Sequence, residues 1–280
     1  MNTYRAEYRR GIARLTKAEV PDAPVDAWYL LEHVTGLSKA AYLIREEEEM
    51  PEEERLRYTE MLEKRAERIP LQYITGVQEF MGFEFDVSRA TLIPRQDTEV
   101  LVEEVMKYTE GKRVLDLCTG TGCIIISLAK LTKVSEAVGT DISPEAVAAA
   151  KANAHKLNAN VSFYCGDLFQ AIPEGKKFDV IVSNPPYIPS AVIRTLMPEV
   201  REYEPVTALD GDADGLKFYR IIISRANKYL NKNGRIFFEI GAEQAEDMKQ
   251  LLQAAGFTEV CVKKDYAGLD RVVGAVWSQE

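Results

Sequence analysis

Residues 113–122 read Arg113-Val114-Leu115-Asp116-Leu117-Cys118-Thr119-Gly120-Thr121-Gly122, and the apolar run CIIISLAKLT (123–132) follows at once. A short apolar segment closes on a turn with two glycines, and a helix-forming stretch starts directly behind it. That is strand, tight turn, helix, the opening unit of a doubly wound α/β sheet, in which ligands sit at the carboxyl ends of the strands. Gly120 and Gly122 let the backbone turn sharply and approach a ligand with no Cβ in the way. A dinucleotide site wants a third glycine in the pattern G-x-G-x-x-G, and that place is taken by Ile125. An acid, Asp116, precedes the glycines instead. A carboxylate there repels a diphosphate and suits a cation, such as the amino end of a methionine moiety.

Working outward, the chain alternates apolar strand-like and helix-like segments. Strand candidates are 113–118, 137–142, 161–166, 178–183, 234–241, 259–264 and 271–277, with amphipathic stretches between most of them. In SPEAVAAAKANAHKLN, Ser143 is an N-cap and Pro144 stands at the first helical position. Regular alternation with apolar strands means a mostly parallel sheet covered by helices on both faces. Only AGLD separates the last two strands, which predicts an antiparallel hairpin at the sheet edge. Asp141 ends the second strand, where a carboxylate can accept both hydroxyls of a ribose. Asp167 ends the third in GDLF, where it suits an adenine amino group with Leu168 and Phe169 as apolar walls. Acids at three successive strand ends point to S-adenosyl-L-methionine.

Upstream, residues 1–70 read as helical. Tyr4, Tyr8, Ile12 and Leu15 recur at helical spacing, DAWYLLEHVTG ends on Gly36, Ser38 caps KAAYLIREE, and Pro51 opens a helix expected to carry Leu56, Leu62, Ala66 and Ile69 on one side. The aromatic-rich stretch at 71–94 breaks the helical pattern and predicts a β-hairpin bridge, leaving 95–280 as the catalytic domain.

Bulk properties narrow the class. The net charge of −9 and pI of about 5.1 run against a protein built to grip phosphate backbones, so no direct nucleic-acid contact is expected. No apolar run reaches the roughly 20 residues of a membrane span, and MNTYRAEYRRGIARL has no signal-peptide core; a cytoplasmic protein without a membrane partner is expected. Cys118, Cys123, Cys165 and Cys261 show no metal-ligand spacing, and neither His33 nor His155 completes a set, so no metal is expected.

The fourth strand ends in Asn184-Pro185-Pro186-Tyr187. Two prolines remove two backbone donors and fix the path. Acceptors remain: the Asn184 side-chain oxygen and the Pro185 carbonyl. An NH2 group fits two converging acceptors, and Tyr187 is available to stack on a planar group. Holding both hydrogens orients the nitrogen lone pair toward a sulfonium methyl, so catalysis is mostly positioning.

Together these residues resemble the HemK/PrmC-type protein glutamine N5-methyltransferases. The resemblance spans nearly the whole chain: PLQYITG with TLIPRQDTE, DLCTGTG, NPPYI, EPVTALDGDADGL and DYAGLDRVV. The tetrapeptide alone is shared with DNA adenine and some RNA guanine methyltransferases; the bridge and the EP-x-x-AL-x-G block are more specific. The resemblance implies a class I S-adenosylmethionine-dependent methyltransferase fold, a seven-stranded sheet plus a small helical substrate-docking domain over 1–70. It implies that the turn Cys118, Thr119, Gly120, Thr121, Gly122 and Asp141 hold the cofactor, with Asn184 touching cofactor and substrate and Pro185, Pro186 and Tyr187 lining a glutamine pocket. The substrate it implies is the Gly-Gly-Gln glutamine of class 1 peptide chain release factors. Cys118 stands where the family commonly has Gly, Gln96 where it commonly has Pro, and Leu168 where some members have an aromatic residue. Two other readings stay open: an adenine-N6 or guanine-N2 methyltransferase acting on nucleic acid, and a cofactor-binding adapter that transfers no methyl.

The acid-first turn makes a direct prediction. Calorimetry should show S-adenosylmethionine and S-adenosylhomocysteine binding and no binding of NAD; NAD binding without S-adenosylmethionine binding would overturn the cofactor assignment.

Overall fold

The strand expected at 113–118 is β3 (Arg113–Leu117), and the sheet is built around it. The computed structural model describes residues 2–278. β3 pairs in parallel with β4 (Glu136–Asp141) on one side and β6 (Phe178–Ser183) on the other. With β5 (Ser162–Cys165), β7 (Leu230–Glu239), β8 (Thr258–Lys264) and β9 (Asp270–Trp277), the order across seven strands is β5-β4-β3-β6-β7-β9-β8. Parallel pairing runs from β5 to β7, and β9 runs antiparallel to both β7 and β8. The expected edge hairpin is present, with its second strand inserted beside β7 and its first at the rim.

Strand order reverses between β3 and β6, which puts a ligand crevice at their carboxyl ends. Register sets Leu117 opposite Thr140 and Ser183, so the residues that follow these three strand ends, at 118, 141 and 184, are neighbours.

Side chains alternate across the sheet as strand periodicity requires. Val114, Val180 and Val182 belong to an apolar cluster with α6 (Gln96–Met106), α7 (Cys123–Leu131) and α8 (Pro144–Lys156). Leu115, Leu117 and Ile181 face a second cluster with α11 (Lys217–Ala226) and α12 (Ala245–Ala254). The Ser143 hydroxyl caps α8 by accepting from Ala146 N at 3.1 Å, as its sequence signature predicts.

The chain divides into two units, Met1–Val77 with Met197–Tyr203, and Gln78–Leu196 with Glu204–Glu280. The first contains α1 (Tyr4–Lys17), α2 (Ala23–Thr35), α3 (Lys39–Arg45), α4 (Glu52–Ala66) and α5 (Leu71–Thr75). The hairpin expected over 71–94 is shorter than that span. α5 occupies its start, β1 (Val77–Phe80) pairs with β2 (Phe83–Asp86), and an irregular stretch leads to α6. Gly82 at φ +75 turns the hairpin. In the second unit, the long segment between β6 and α11 carries α9 (Ser190–Ile193); its residues 197–203, with α10 (Pro198–Arg201), belong to the helical unit.

Helix α4 departs from expectation. Leu56 is exposed, and the buried side carries Tyr58, Leu62 and Arg65. Arg65, only 5% exposed, donates from Nε to Asp26 at 2.6 Å and from Nη2 to Glu199 at 2.9 Å. Arg68 holds the same Glu199 through two bonds, at 2.6 and 2.7 Å. This ionic cluster fastens segment 197–203 into the helical unit. Arg65→Ala strands the Asp26 carboxylate and leaves Glu199 to Arg68 alone, and should destabilise that unit by about 3–5 kcal/mol. Urea unfolding followed by Trp28 fluorescence in a Trp277→Phe background checks it; a loss below about 1 kcal/mol, the scale of an exposed pair, would refute the structural role.

Candidate active site

Cys118 leaves β3 at φ +60, and Gly120 and Gly122 follow at +55 and +80. Left-handed backbone suits glycine, and at a side-chain-bearing residue it costs on the order of 1–2 kcal/mol. The position where the family commonly has Gly thus keeps a glycine-like torsion while holding Cys. At Gly122 a Cβ would meet Ile126 Cδ1 at 2.8 Å and Ala150 Cβ at 3.2 Å, so the glycine lets α7 and α8 close together here. A Cβ at Gly120 would meet nothing within 4 Å. That glycine faces open space.

Asp116 lies inside the protein beneath this turn. Its carboxylate is fully buried and does not line the cavity. Thr119 Oγ1 donates to its Oδ2 at 2.5 Å, the Ile125 amide at the start of α7 draws its pKa down, and Oδ1 has no partner among the described residues. Burial dominates and, with Asp141 nearby, pushes the carboxyl up to about 8. The expectation that Asp116 faces the cofactor's cation directly is therefore replaced by a carboxyl that braces the turn from below.

Asp141 does face the cavity, at the end of β4. Its Oδ2 accepts from Gly120 N at 2.9 Å and its Oδ1 from Ser143 N at 3.0 Å. Each oxygen keeps a second lone pair for a hydroxyl, which fits a ribose diol. Asp167 and Leu168 line the same cavity, with Leu168 at φ +50. Phe169 does not: it turns into the core and stacks on Tyr229 with ring centroids 4.4 Å apart. The second apolar wall is Ile142, overlooked in the sequence although it directly follows the ribose acid.

Cys118, Thr119, Gly120 and Thr121 line the cavity, whose volume is about 450 Å³. Burial keeps the Cys118 thiol protonated far above neutrality. On the opposite side stand Asn184 and Pro186, with Arg95, Thr98 and the segment Pro205–Ala208, none of the last group singled out from sequence. Asn184 Nδ2 donates to Thr98 Oγ1 at 3.4 Å. Neither Asn184 Oδ1 nor the Pro185 carbonyl has a hydrogen-bond partner among the described residues.

Tyr187 is not in the cavity wall. Its hydroxyl donates to buried Glu239 Oε1 at 3.3 Å, and its carbonyl accepts from Gln244 Nε2 at 3.0 Å. Stacking on a planar group in the cavity is thus not what this ring does here; burial and the Glu239 charge push its phenol well above its ordinary pKa. The block EPVTALDGDADGL packs on the tetrapeptide from outside. A Cβ at Gly211 would meet Tyr187 Cα at 2.8 Å, and one at Gly215 would meet Tyr187 O at 2.2 Å, so both glycines serve this close approach. Glu204, 5% exposed, accepts from Arg95 Nη2 at 2.6 Å and holds that guanidinium at the cavity.

Residues 8–76 match the PrmC N-terminal domain model and residues 108–275 a methyltransferase domain model. The release factor glutamine methyltransferase of Geobacter sulfurreducens is 42% identical over 261 residues, 93% of this chain and 92% of that one. The protein of the same name from Clostridium acetobutylicum is 42% identical, covering 90% of each. Among solved structures, a methyltransferase from Pyrococcus furiosus superposes with a TM-score of 0.55 at 18% identity, covering 71% of this chain and 90% of that one. A Thermus thermophilus 16S rRNA N2 G1207 methyltransferase in complex with AdoMet and guanosine gives 0.52 at 18%, covering 72% and 50%. The sheet order and the acid-and-glycine cavity at its switch point make this chain a class I S-adenosylmethionine-dependent methyltransferase. It belongs to the release factor glutamine methyltransferase family.

The state of Asp116 sets a pH dependence. Its folded pKa of about 8 stands above the ordinary 3.8, so the folded protein keeps a proton that the unfolded chain has lost. Stability therefore falls as pH rises from about 4 to about 8. Asp116→Asn has no proton to lose, and its urea midpoint should drop less than wild type between pH 5 and pH 8. Parallel curves for the two proteins would show that Asp116 is charged in the fold.

Proposed function

We propose that this chain methylates the side-chain amide nitrogen of the glutamine in the Gly-Gly-Gln motif of class 1 peptide chain release factors, in the cytoplasm. The observation that carries the reading is the pair of unsatisfied acceptors, Asn184 Oδ1 and the Pro185 carbonyl, at the carboxyl end of β6 beside the cofactor-sized cavity. The relatives' names supply the release factor.

In this reading Asp141 takes the ribose hydroxyls, and Asp167 takes the adenine amino group with Leu168 and Ile142 as walls. Thr119, Gly120 and Thr121 give backbone and hydroxyl contacts next to Cys118, while Asp116 and Gly122 shape the turn from behind. Bound S-adenosylmethionine supplies an electrophilic methyl on a sulfonium whose sulfur leaves as a neutral thioether. An amide nitrogen is a poor nucleophile because its lone pair is delocalised into the carbonyl. Asn184 and Pro185 each accept one of its hydrogens, which fixes the lone-pair direction and favours pyramidalisation as the new bond forms. The same acceptors stabilise the positive charge that grows on the nitrogen. The methylated nitrogen is then acidic enough to release its proton without a strong base.

A glutamine side chain is too small to be distinguished among all glutamines by two acceptors. Contacts remote from the reacting atom must hold the right loop, and the helical unit is the part of the chain not needed for cofactor binding. We assign it the docking of the release factor.

Incubation with S-adenosylmethionine and a purified release factor, followed by peptide mass spectrometry, should place one methyl on the Gly-Gly-Gln glutamine. Asn184→Ala should fold normally and lose at least ~100-fold in turnover, since one of the two orienting acceptors is gone. Wild-type turnover in the folded variant would sink the mechanism. Methyl appearing on nucleic acid and not on release factor would favour the exocyclic-amino alternative.

A further inference from the structure

Gln244 directly precedes α12 and takes no part in the transfer described above. Its half-buried side chain makes three hydrogen bonds, all to backbone. Oε1 accepts from Gly241 N at 2.9 Å, two residues beyond the end of β7. Nε2 donates to the Tyr187 carbonyl at 3.0 Å and to the Gly215 carbonyl at 3.4 Å. Among the described residues no other donor meets either carbonyl. A primary amide accepts at its oxygen and donates at its nitrogen, so the Gly241 N–H fixes its orientation and turns the NH2 to the two carbonyls. A Cβ at Gly215 would fall 2.7 Å from Nε2 and one at Gly241 3.2 Å from Oε1, so both glycines leave the amide its room.

The segments joined here are the ones that shape the reactive wall. Tyr187 follows two prolines, whose rings fix φ, so a hold on its carbonyl is passed along a stiff path to the Pro185 carbonyl. Gly215 closes the stretch that begins at Glu204 and carries Pro205–Ala208 and Asp210 in the cavity wall. Beyond Tyr187 the two segments meet a second time: Ile188 N donates to Leu209 O at 3.0 Å, and Gly211 N to Ile188 O at 2.9 Å. That contact alone leaves the tetrapeptide free to pivot about residue 188. Gln244 adds a fastening on Tyr187 itself and ties it to the end of β7.

We propose that Gln244 is a positioning residue for methyl transfer: through the Tyr187 carbonyl it holds the Pro185 carbonyl and the Asn184 side chain where they grip the NH2 of the substrate. This rests on the acceptor-pair mechanism given above. Gln244 does not line the cavity and acts only through the backbone it binds.

Gln244→Glu keeps the shape. Ionised, the carboxylate still accepts from Gly241 N but meets both carbonyls with no donor; protonated, its hydroxyl donates to the Tyr187 carbonyl again. With release factor as substrate, kcat should fall at least ~20-fold at about pH 8, while KM and the S-adenosylhomocysteine affinity stay within ~2-fold of wild type. The ratio of variant to wild-type kcat should rise at least ~5-fold as the pH is lowered to about 5, since facing carbonyls favour the protonated carboxyl. Gln244→Met has no donor at any pH, and its ratio to wild type should stay low and level. A level ratio in Gln244→Glu, wild-type kcat in Gln244→Met, or a loss of S-adenosylhomocysteine affinity as large as the loss in kcat would each overturn the proposal. A substrate-free arm reads the acceptor directly: the Asn184 side-chain 1H–15N signals, assigned by their disappearance in Asn184→Ala, should move in Gln244→Met. Unmoved signals would refute the inference whatever the activity. Should neither variant fold, wild type decides: the Gln244 side-chain amide protons should exchange with solvent at least ~10-fold more slowly than those of exposed Gln253, and equal rates would sink the clamp. If wild type leaves release factor unmethylated, the proposed substrate is wrong, and the nuclear magnetic resonance arms still decide the role of Gln244.

Discussion

A carboxyl group with no route to water sits under the turn from which the cofactor site is built. Asp116 occupies a central strand position, and the turn above it closes on its oxygen through Thr119 at 2.5 Å. That bond, together with Gly122 N donating to Thr119 O at 2.8 Å and Thr119 N to Thr140 O at 2.9 Å, ties β3, β4 and the start of α7 into one small cage. Little room is left: a Cβ at Gly139 would fall 2.9 Å from Thr119 Oγ1 and 2.7 Å from the Phe163 ring. The cage then fixes Gly120, whose amide holds Asp141 at the angle that leaves its free lone pairs toward the cavity. Cys118 and Leu168, both in the cavity wall and both at positive φ, carry strain of the kind that a packed surround must sustain.

The opposite wall obeys a different rule. Two prolines contribute no donors, so the only polar atoms the tetrapeptide presents are acceptors, and everything behind it serves to keep them in place. Gly211 and Gly215 bring a loop against the Tyr187 backbone, Gln244 bonds its carbonyl, and Glu239 bonds its hydroxyl. Tyr187 thus contributes through its anchorage and not through its ring face. This division suits a reaction that needs no strong base: on this wall the tetrapeptide offers acceptors, and the Arg95 guanidinium stands beside them.

Much of this was legible in the sequence because it depends on neighbours along the chain. Strand alternation, the Ser143-Pro144 start of α8 and the acids closing β3, β4 and β5 are local patterns, and each is found in its expected element or at its end. What was missed depends on direction or on distance. A strand end says where Phe169 and Asp116 begin, but their side chains are aimed by packing, and both point away from the cavity. Helix α6 was passed over because Pro94 and the polar QDTE mask its start, and with it went Thr98. Thr98 meets Asn184 across 86 residues and Tyr187 meets Glu239 across 52, pairings that no window on the sequence displays. Arg65 failed for a related reason: a helical stripe was assumed apolar, and its buried side includes a cation satisfied by Asp26 and Glu199.

Two acceptors select an NH2 group, and a glutamine amide, an adenine amino group and a guanine amino group all offer one. The inner site is therefore permissive, and discrimination has to come from what carries the NH2 to it. A net charge of −9 works against any carrier that is itself a polyanion. The cavity of about 450 Å³ lies near the low end of ligand pockets, so little of it remains for a substrate once a nucleoside cofactor is bound. A slender side chain at the tip of a loop meets that limit more easily than a base with its sugar. Binding energy for such a loop must be gathered away from the reacting nitrogen, on surfaces the methyltransferase core alone does not require. The helical unit holds its segment 197–203 through its own buried ion cluster of Arg65, Arg68, Asp26 and Glu199, a framework the cofactor cavity does not draw on.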